Sequence, residues 1–424
     1  MIFILVIVFI ALMMTGMPIS FALGIATLGT VALLGYDPVA FFHRMLNSIS
    51  SFSLIAVPLY VLAGNLCSET GITKRLVKMC TSFVGHIPGG TGLVNVLASI
   101  FFGGISGSAV ADTSAIGGML IPVMEEEGYD REFAGGITMA SSTIGILIPP
   151  SIPQCLYGVC TGISIGAMFM AGVIPGLLVG VFQMALCYVI SRRRSYPCHR
   201  KAEAKERVAA VKEAVWALGM PLIILIGCGV GVVTASEAGV IAVVYSILIG
   251  IFVYKELDVK KLPALFLNSV VTASVALYIV GIASVVSWVI NVENIPQLMI
   301  YFLNHNVNNR VLILLIVNLI LFICGCFMDL VPIMLLFAPI FLPVVQECGI
   351  SAIQFGVIMS INLGIGLLTP PVGNCLFIAS GIAGTSTTKL FKASLPFVCC
   401  NVFCLLLVHI VPPLTMLLPA VFGY

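Results

Sequence analysis

The chain has 424 residues, of which 60% are hydrophobic and only 8% charged. Soluble domains carry about 25% charged residues, so a water-soluble globular fold is excluded and the chain belongs to the membrane class. The net charge of +2 and a single short basic run, residues 192–207 between apolar stretches, give nucleic-acid binding no footing.

The N-terminal "MIFILVIVFIALMM" has no basic region before it, and the first Lys or Arg is Arg44. It reads as a retained span and not as a signal peptide. Residues 1–35 are long enough for two short spans broken at "TGMP", and residues 51–67 for one more. Residues 86–124 contain "GGISGSAVADTSAIGG", in which sixteen residues hold five glycines, three serines, a threonine and Asp112. Residues 132–157 carry a double proline, and 165–190 complete a first half. The charged "SRRRSYPCHRKAEAKERVAAVKEA", residues 191–214, reads as a linker. Beyond it come apolar segments 215–232, 236–253, 264–289, 309–346, 354–379 and 391–420. Most of the fourteen cysteines lie inside apolar segments, where free Cys acts as a small hydrophobe, and none clusters with the five histidines. Neither a structural metal nor a disulfide framework is expected.

The two halves are copies. Shifting "IPVMEEEGYDREFAGGITMASSTIGILIPPS" from residue 121 by 221 sets it on "LPVVQECGISAIQFGVIMSINLGIGLLTPPV" from residue 342 without a gap. Pro122 falls on Pro343, Gly128 on Gly349, Gly135 on Gly356, Gly145 on Gly366, and Pro149-Pro150 on Pro370-Pro371; upstream, Gly104 falls on Gly325. A series at constant offset is an internal repeat.

If residues 86–124 and 309–346 each enter and leave on one side, each half crosses the membrane five times. Seventeen of the nineteen Lys and Arg residues then share a side with the linker, leaving Arg44 and Arg310 opposite. The positive-inside rule places the linker in the cytoplasm and both termini in the periplasm. An odd number of crossings inverts the second half, the architecture of many secondary transporters.

The return arm of the first such segment, from about residue 116 to 124, is roughly 14 Å at 1.5 Å per residue. That is short of a ~30 Å hydrocarbon core. The segment therefore reads as a re-entrant hairpin with "GISGSAVADTSA" unwound at its tip, tolerated only where protein or a wet cavity surrounds it. The double prolines predict unwound points in "ASSTIGILIPPS" and "NLGIGLLTPPVGN", because Pro removes a helix hydrogen bond and restricts the residue before it. Clustered carbonyl and hydroxyl oxygens suit a small hard cation such as Na⁺. Exposed half-helix N-termini suit a carboxylate. Asp112 and Asp329 become intramembrane carboxylates, functional candidates that are equally able to cap a helix at the tip. Glu237 in "TASEAG" reads as a cap and Trp288 as an interfacial anchor.

"GISGSAVADTSAIGG", "FAGGITMASSTIGILIPPSIPQCLYG", "GVVTASEAGVIAVVY" and "LTPPVGN" closely resemble the large membrane subunit of tripartite ATP-independent periplasmic (TRAP) transporters, over nearly the whole chain. The resemblance implies an all-α polytopic membrane protein of inverted-topology repeats, with two re-entrant helical hairpins and two broken helices. Its first repeat is 1–190, with scaffold spans in 1–67, hairpin 86–124, broken helix 132–157 and span 165–190. The 191–214 linker follows. The second repeat is 215–424, with scaffold spans in 215–289, hairpin 309–346, broken helix 354–379 and span 391–420. The resemblance implies a sodium-driven importer of organic acids, working as an elevator in a bacterial inner membrane. It also implies a small four-helix membrane subunit and a soluble periplasmic substrate-binding protein as partners. Carried across by motif, one sodium site uses Ser106, Ser108, Ser141 and Gly145. A second uses Gly325, Asp329, Gly366 and Thr369, mostly through carbonyls because "CGCFMDLVP" lacks the serines of the first tip. Substrate lies near Ser142, Pro149, Pro150, Pro371 and Asn374.

Three other readings stay open on the sequence. One is an anion symporter that needs no binding protein, and another is a channel. The third is an intramembrane serine hydrolase built on "GISG", which needs a base within reach of Ser106. Of His43, His86, His199, His305 and His409, only His409 lies well inside a span.

Overall fold

The computed structural model describes residues 2–294, 297, 298, 301 and 309–424, and every regular element among them is a helix. The first two, α1 (Ile2–Met14) and α2 (Ile19–Leu33), break at the expected "TGMP". With 13 and 15 residues they reach only about 20 Å each. Next comes α3 (Pro38–Ile49), opened by the Asp37 carboxylate, which accepts from the Val39 amide at 2.8 Å. It is followed by α4 (Ala56–Glu69), entered through a 3-10 turn at Phe52–Ile55, and by α5 (Ile72–Val84). Periodicity alone did not single out α3 or α5, since both are amphipathic and neither is apolar enough to read as a span.

The first hairpin is α6 (Gly90–Ser106) and α7 (Ala109–Glu126). The first broken helix is α8 (Arg131–Ser142), a 3-10 turn at Thr143–Ile146, and α9 (Ile152–Thr161). Then come α10 (Ile165–Arg194), α11 (Ala204–Gly229), α12 (Ala235–Leu248) and α13 (Leu262–Val292). The second hairpin is α14 (Arg310–Phe327) and α15 (Leu330–Glu347), and the second broken helix is α16 (Ala352–Gly366) and α17 (Asn374–Ala383). Helices α18 (Thr387–Ile410) and α19 (Pro413–Val421) close the chain. Eight helices among the described residues are long and apolar enough to cross a membrane, so the chain is a multi-pass membrane protein.

Two local expectations change. The hydroxyl-rich tip is almost wholly helical: α7 starts at Ala109, not near residue 116, and only Gly107 and Ser108 lie between the arms. Thr113 Oγ1 bonds back into the helix, donating to the Ala109 carbonyl at 2.8 Å, and Ser108 Oγ caps α7 by accepting from the Ala111 amide at 3.4 Å. Gly107 makes the turn at φ +62°, where a side chain is strained. The charged segment is also shorter as a linker than expected. Residues 204–214 are the first turns of α11, opened by a reciprocal Glu203/Glu206 capping box.

With return arms of 18 residues each, arm length does not make the hairpins re-entrant. The positions of their mouths do. At the first mouth Thr91 donates to Glu127 at 2.5 Å. The segment after α10 straps that mouth, with Gly89 donating to the Pro197 carbonyl at 3.3 Å and His199 beside Glu127 at 3.2 Å. The second mouth, near Arg310 and Cys348, opens the other way, with Ser351 beside it donating to Met416 Sδ at 3.3 Å on the helix that leads to Tyr424.

Ion pairs sort the loops onto two faces. Lys261–Glu69 (2.9 Å), Arg75–Glu256 (2.8 Å), Lys78–Glu213 (2.6 Å) and Arg194–Asp130 (2.6 Å) gather one basic face. The opposite face is poor in Lys and Arg among the described residues; there Ser236 donates to the Phe52 carbonyl at 3.1 Å, and Tyr424 to that of Cys228 at 2.8 Å. Arg44 stacks there on Trp288, 4.3 Å from the ring centre, as suits an interfacial anchor. The Glu237 carboxylate accepts from the Thr234 amide at 2.8 Å, the cap the sequence suggested.

Since the first hairpin opens at the basic face and the second at the opposite one, the repeats are inverted. Their cores are not separate: α8 packs on α18, α7 on α17 and α9 on α15, around Phe133, Tyr157, Phe355 and Phe397. A second cluster sets α4 between α12 and α13 and α5 on α11, and α1–α3 pack in smaller clusters against α13.

Candidate functional site

Each hairpin tip meets the break in its own half. Gly103 lies against Gly145, so that a methyl added at Gly103 would come within 2.7 Å of the Gly145 Cα. In the second half one at Gly366 would come within 2.6 Å of Gly325. The backbones touch because neither residue has a side chain. Next to each contact the tip bonds to the far side of the break, Ile152 N to Gly107 O at 3.2 Å and Val372 N to Cys326 O at 3.0 Å. The two glycine contacts place Gly103, not Gly104, opposite Gly325; the hairpins register one residue off the 221 offset.

Between the tips lies a cavity of about 510 Å³, walled by Val57 and Val61 of α4 and by Thr272 and Ile279 of α13. The first turns of four helices line it: Ala109 of α7, Ile152 of α9, Leu330 of α15 and Asn374 of α17. Asp329 is the one ionisable group among its described lining residues, and no Lys or Arg joins it. The Asp329 carboxylate accepts from Asn374 at 2.9 Å.

The expected site residues divide. Ser108, Asp329 and Asn374 line the cavity. Ser106 lies just behind, with the Ser108 amide donating to its Oγ at 3.5 Å. Gly145, Gly325 and Gly366 form the glycine contacts. Thr369 bonds back to the Ile365 carbonyl at 2.9 Å. Ser141 and Ser142 are fully buried, Ser141 beside Ser99 at 3.0 Å and Ser142 donating to the Thr138 carbonyl at 2.8 Å. The double prolines are unequal: Pro149 and Pro150 are buried behind the first tip, whereas Pro371 is exposed, and none of the three lines the cavity. Asp112 does not cap the tip. It sits in the first turn of α7, fully buried, close to the Ser99 and Ser142 hydroxyls.

Sequence reasoning passed over four groups that tie hairpin to broken helix: Asn95, Ser99, Asn318 and Asn362. Their signal was available, since an amide inside an apolar span must bond to something. The hydrolase reading finds no base: the Ser106 hydroxyl meets no histidine among the described residues, and His409 is bonded to Asn318 and the Leu405 carbonyl. His305 lies outside the described residues.

Inverted repeats, paired re-entrant hairpins and a cavity between two broken helices define a secondary membrane transporter. The sequence matches the family described as "Tripartite ATP-independent periplasmic transporter, DctM component" over residues 6–414, and the chain belongs to that family. It is similar to the sialic acid TRAP transporter large permease protein SiaM of Vibrio cholerae, at 38% identity over 97% of each chain. It is 35% identical to the C4-dicarboxylate TRAP transporter large permease protein DctM of Rhodobacter capsulatus, over 98% of each. The 2,3-diketo-L-gulonate TRAP transporter large permease protein YiaN of Escherichia coli is likewise 35% identical, over 95% of each. The fold is also that of the YdaH transporter of Alcanivorax borkumensis, with a TM-score of 0.64 over 88% of this chain and 89% of that one at 13% identity. The chain is a permease, not an enzyme.

Proposed function

We propose that this permease imports a small organic acid, of the class that includes C4-dicarboxylates and sialic acids, by sodium symport across a bacterial inner membrane. The observation that carries the reading is the convergence of four helix N-termini on one cavity without a Lys or Arg. Each N-terminus presents about half a positive charge, while at α9 the Ile152 and Gln154 amides are taken by the Gly107 carbonyl and Ser151 Oγ, and at α17 the Cys375 and Leu376 amides by the Leu367 carbonyl. Four of them hold a carboxylate without a fixed cation, so that the acid is released once its co-ions leave. The co-ions sit on the other side of the same breaks, where helices end and carbonyls turn outward. Ser106, Ser108, Ser141 and Gly145 would supply oxygens to one sodium, and Gly325, Asp329, Gly366 and Thr369 to another. Ser142, Pro149, Pro150 and Pro371 would shape the wall behind the substrate, and Asn374 would contact it.

The basic face is the cytoplasmic one by the positive-inside rule. The hairpins and broken helices would move as one block against α4 and α11–α13, in an elevator cycle. A small four-helix membrane subunit and a soluble periplasmic binding protein would complete the system, as membership of a tripartite family suggests.

The test is uptake in vesicles holding the chain and both partners. Uptake that collapses when sodium is replaced by choline supports the reading; unchanged uptake defeats it. Full uptake without any soluble protein defeats the tripartite part alone.

A further inference from the structure

A polar pin underlies each glycine contact, and the two pins are built from different chemistry. In the first half Ser141 stands one turn before Gly145. Its hydroxyl meets Ser99 at 3.0 Å and donates to Asn95 Oδ1 at 3.2 Å, across to α6. In the second half the residue at the position of Ser141 is Asn362, one turn before Gly366 and 1% exposed. Its amide donates twice across to α14, to the Asn318 carbonyl at 3.0 Å and to Asn318 Oδ1 at 2.8 Å. Asn318 lies two turns before Gly325, on the face that carries that glycine.

Asn318 is held in turn. Its Nδ2 donates to the Leu314 carbonyl at 2.8 Å and lies 3.0 Å from His409 Nε2. His409 Nδ1 lies 2.9 Å from the Leu405 carbonyl, which can only accept. Nδ1 therefore carries the proton and Nε2 accepts, so that the imidazole fixes which end of the Asn318 amide faces Asn362. The orientation is over-determined: turning the Asn318 amide over sets donor against donor at Asn362, and turning the Asn362 amide over sets acceptor against acceptor. Asn362 Oδ1 is left buried without a hydrogen-bond partner, so this side chain is held by its NH2 group alone.

We propose that Asn362, oriented through Asn318 by His409, is a positioning residue for the second cation site. It fixes the spacing and rotation of α14 against α16, and with them the carbonyls around Gly325 and Gly366. The proposal rests on the sodium reading above. An isolated hydrogen bond in lipid is modest, but this one sits on the helices that would carry the ligands, and a small displacement of oxygens costs affinity before it costs the fold.

The probe is sodium itself. The full chain is unfolded by heat in detergent over a sodium chloride series, with choline chloride holding ionic strength. The midpoint rises as sodium binds the folded state, and the half-saturating concentration is read. Asn362→Ala raises that concentration about tenfold and Asn318→Ala about as much. His409→Leu acts in the same direction, while Asn362→Ser, which copies the first half, stays within about threefold. Asn65→Ala, which removes a bond to Ser269 between α4 and α13, leaves it unchanged. A folded Asn362→Ala with the wild-type value overturns the proposal, as does an equal rise in Asn65→Ala. Should Asn362→Ala not fold, Asn318→Ala and His409→Leu are read by the same criterion. A wild type with no response to sodium overturns the sodium reading and this proposal together, whereas a responsive wild type matched by its variants overturns this one alone.

Discussion

Gly103 and Gly145 meet backbone to backbone, one at the end of a hairpin arm and the other at the break of a helix. No other residue type allows that approach, and the second half repeats it with Gly325 and Gly366. Adding a methyl at Gly103 or Gly366 is overpacking against atoms that cannot step aside, which typically costs 1–3 kcal/mol. Gly118, also helical, has nothing within 4 Å of an added methyl, and Gly118→Ala is expected to be neutral or stabilising by up to about 1 kcal/mol. Unfolding midpoints in detergent decide: Gly103→Ala and Gly366→Ala fall, and Gly118→Ala holds or rises. Equal effects at all three would mean that the contacts are not tight.

Ser106→Ala is expected to weaken sodium affinity about tenfold while leaving expression near wild type, and Ser108→Ala to do so with a loss of substrate affinity as well, since Ser108 lines the cavity. Sodium titrations of uptake at saturating substrate separate the two. Parallel loss of expression and affinity for Ser106→Ala would make it a packing residue.

Asp329 and Asn374 test the second tip. Asp329→Asn removes the charge at nearly constant shape and is expected to lower the sodium dependence of uptake. Asn374→Leu removes the side-chain donor of a part-buried carboxylate, a hydrogen bond to a charged group worth about 1.5–3 kcal/mol, seen as a fall in uptake of about tenfold. If Asp329→Asn keeps the wild-type sodium curve, that carboxylate holds no cation.

Sidedness is read with cysteines the chain already has. Cys198 is exposed in the strap at the basic face, whereas Cys348 lies at the mouth of the second hairpin on the other side. A membrane-impermeant maleimide is expected to label Cys198 from the cytoplasm only, and Cys348, if at all, from the periplasm only. Labelling of Cys198 in intact cells, from outside, would invert the assigned topology.

Tyr196 in the same strap donates to Asp130 at 2.6 Å. Burial, and then the hydrogen bond to that carboxylate, push its phenol above the ordinary value of 10.0. Its share of stability is therefore present below that ordinary value and is lost as pH rises through the raised one. Tyr196→Phe should abolish this alkaline loosening, measured as faster trypsin cleavage at Arg200 and Lys201. Unchanged pH dependence in Tyr196→Phe would show that the phenol does not hold the strap.

The sequence by itself determined the class, the repeat, the inversion, the two breaks and the family, because composition, proline position and a constant offset are local or additive properties. Lipid leaves backbone groups few ways to be satisfied, so a 221-residue offset with matching breaks admits little else. Only the tertiary structure decided how far each helix runs and what each polar group faces. "GISGSAVADTSA" reads as unwound, yet all but two of its residues are helical, since Ser108 caps α7 and Thr113 bonds back into it. The same packing buries Pro149 and Pro150 and exposes Pro371, and it turns Asn362 toward Asn318. Period and propensity say that a helix exists, but which side of it meets a partner depends on helices about forty residues or more away along the chain.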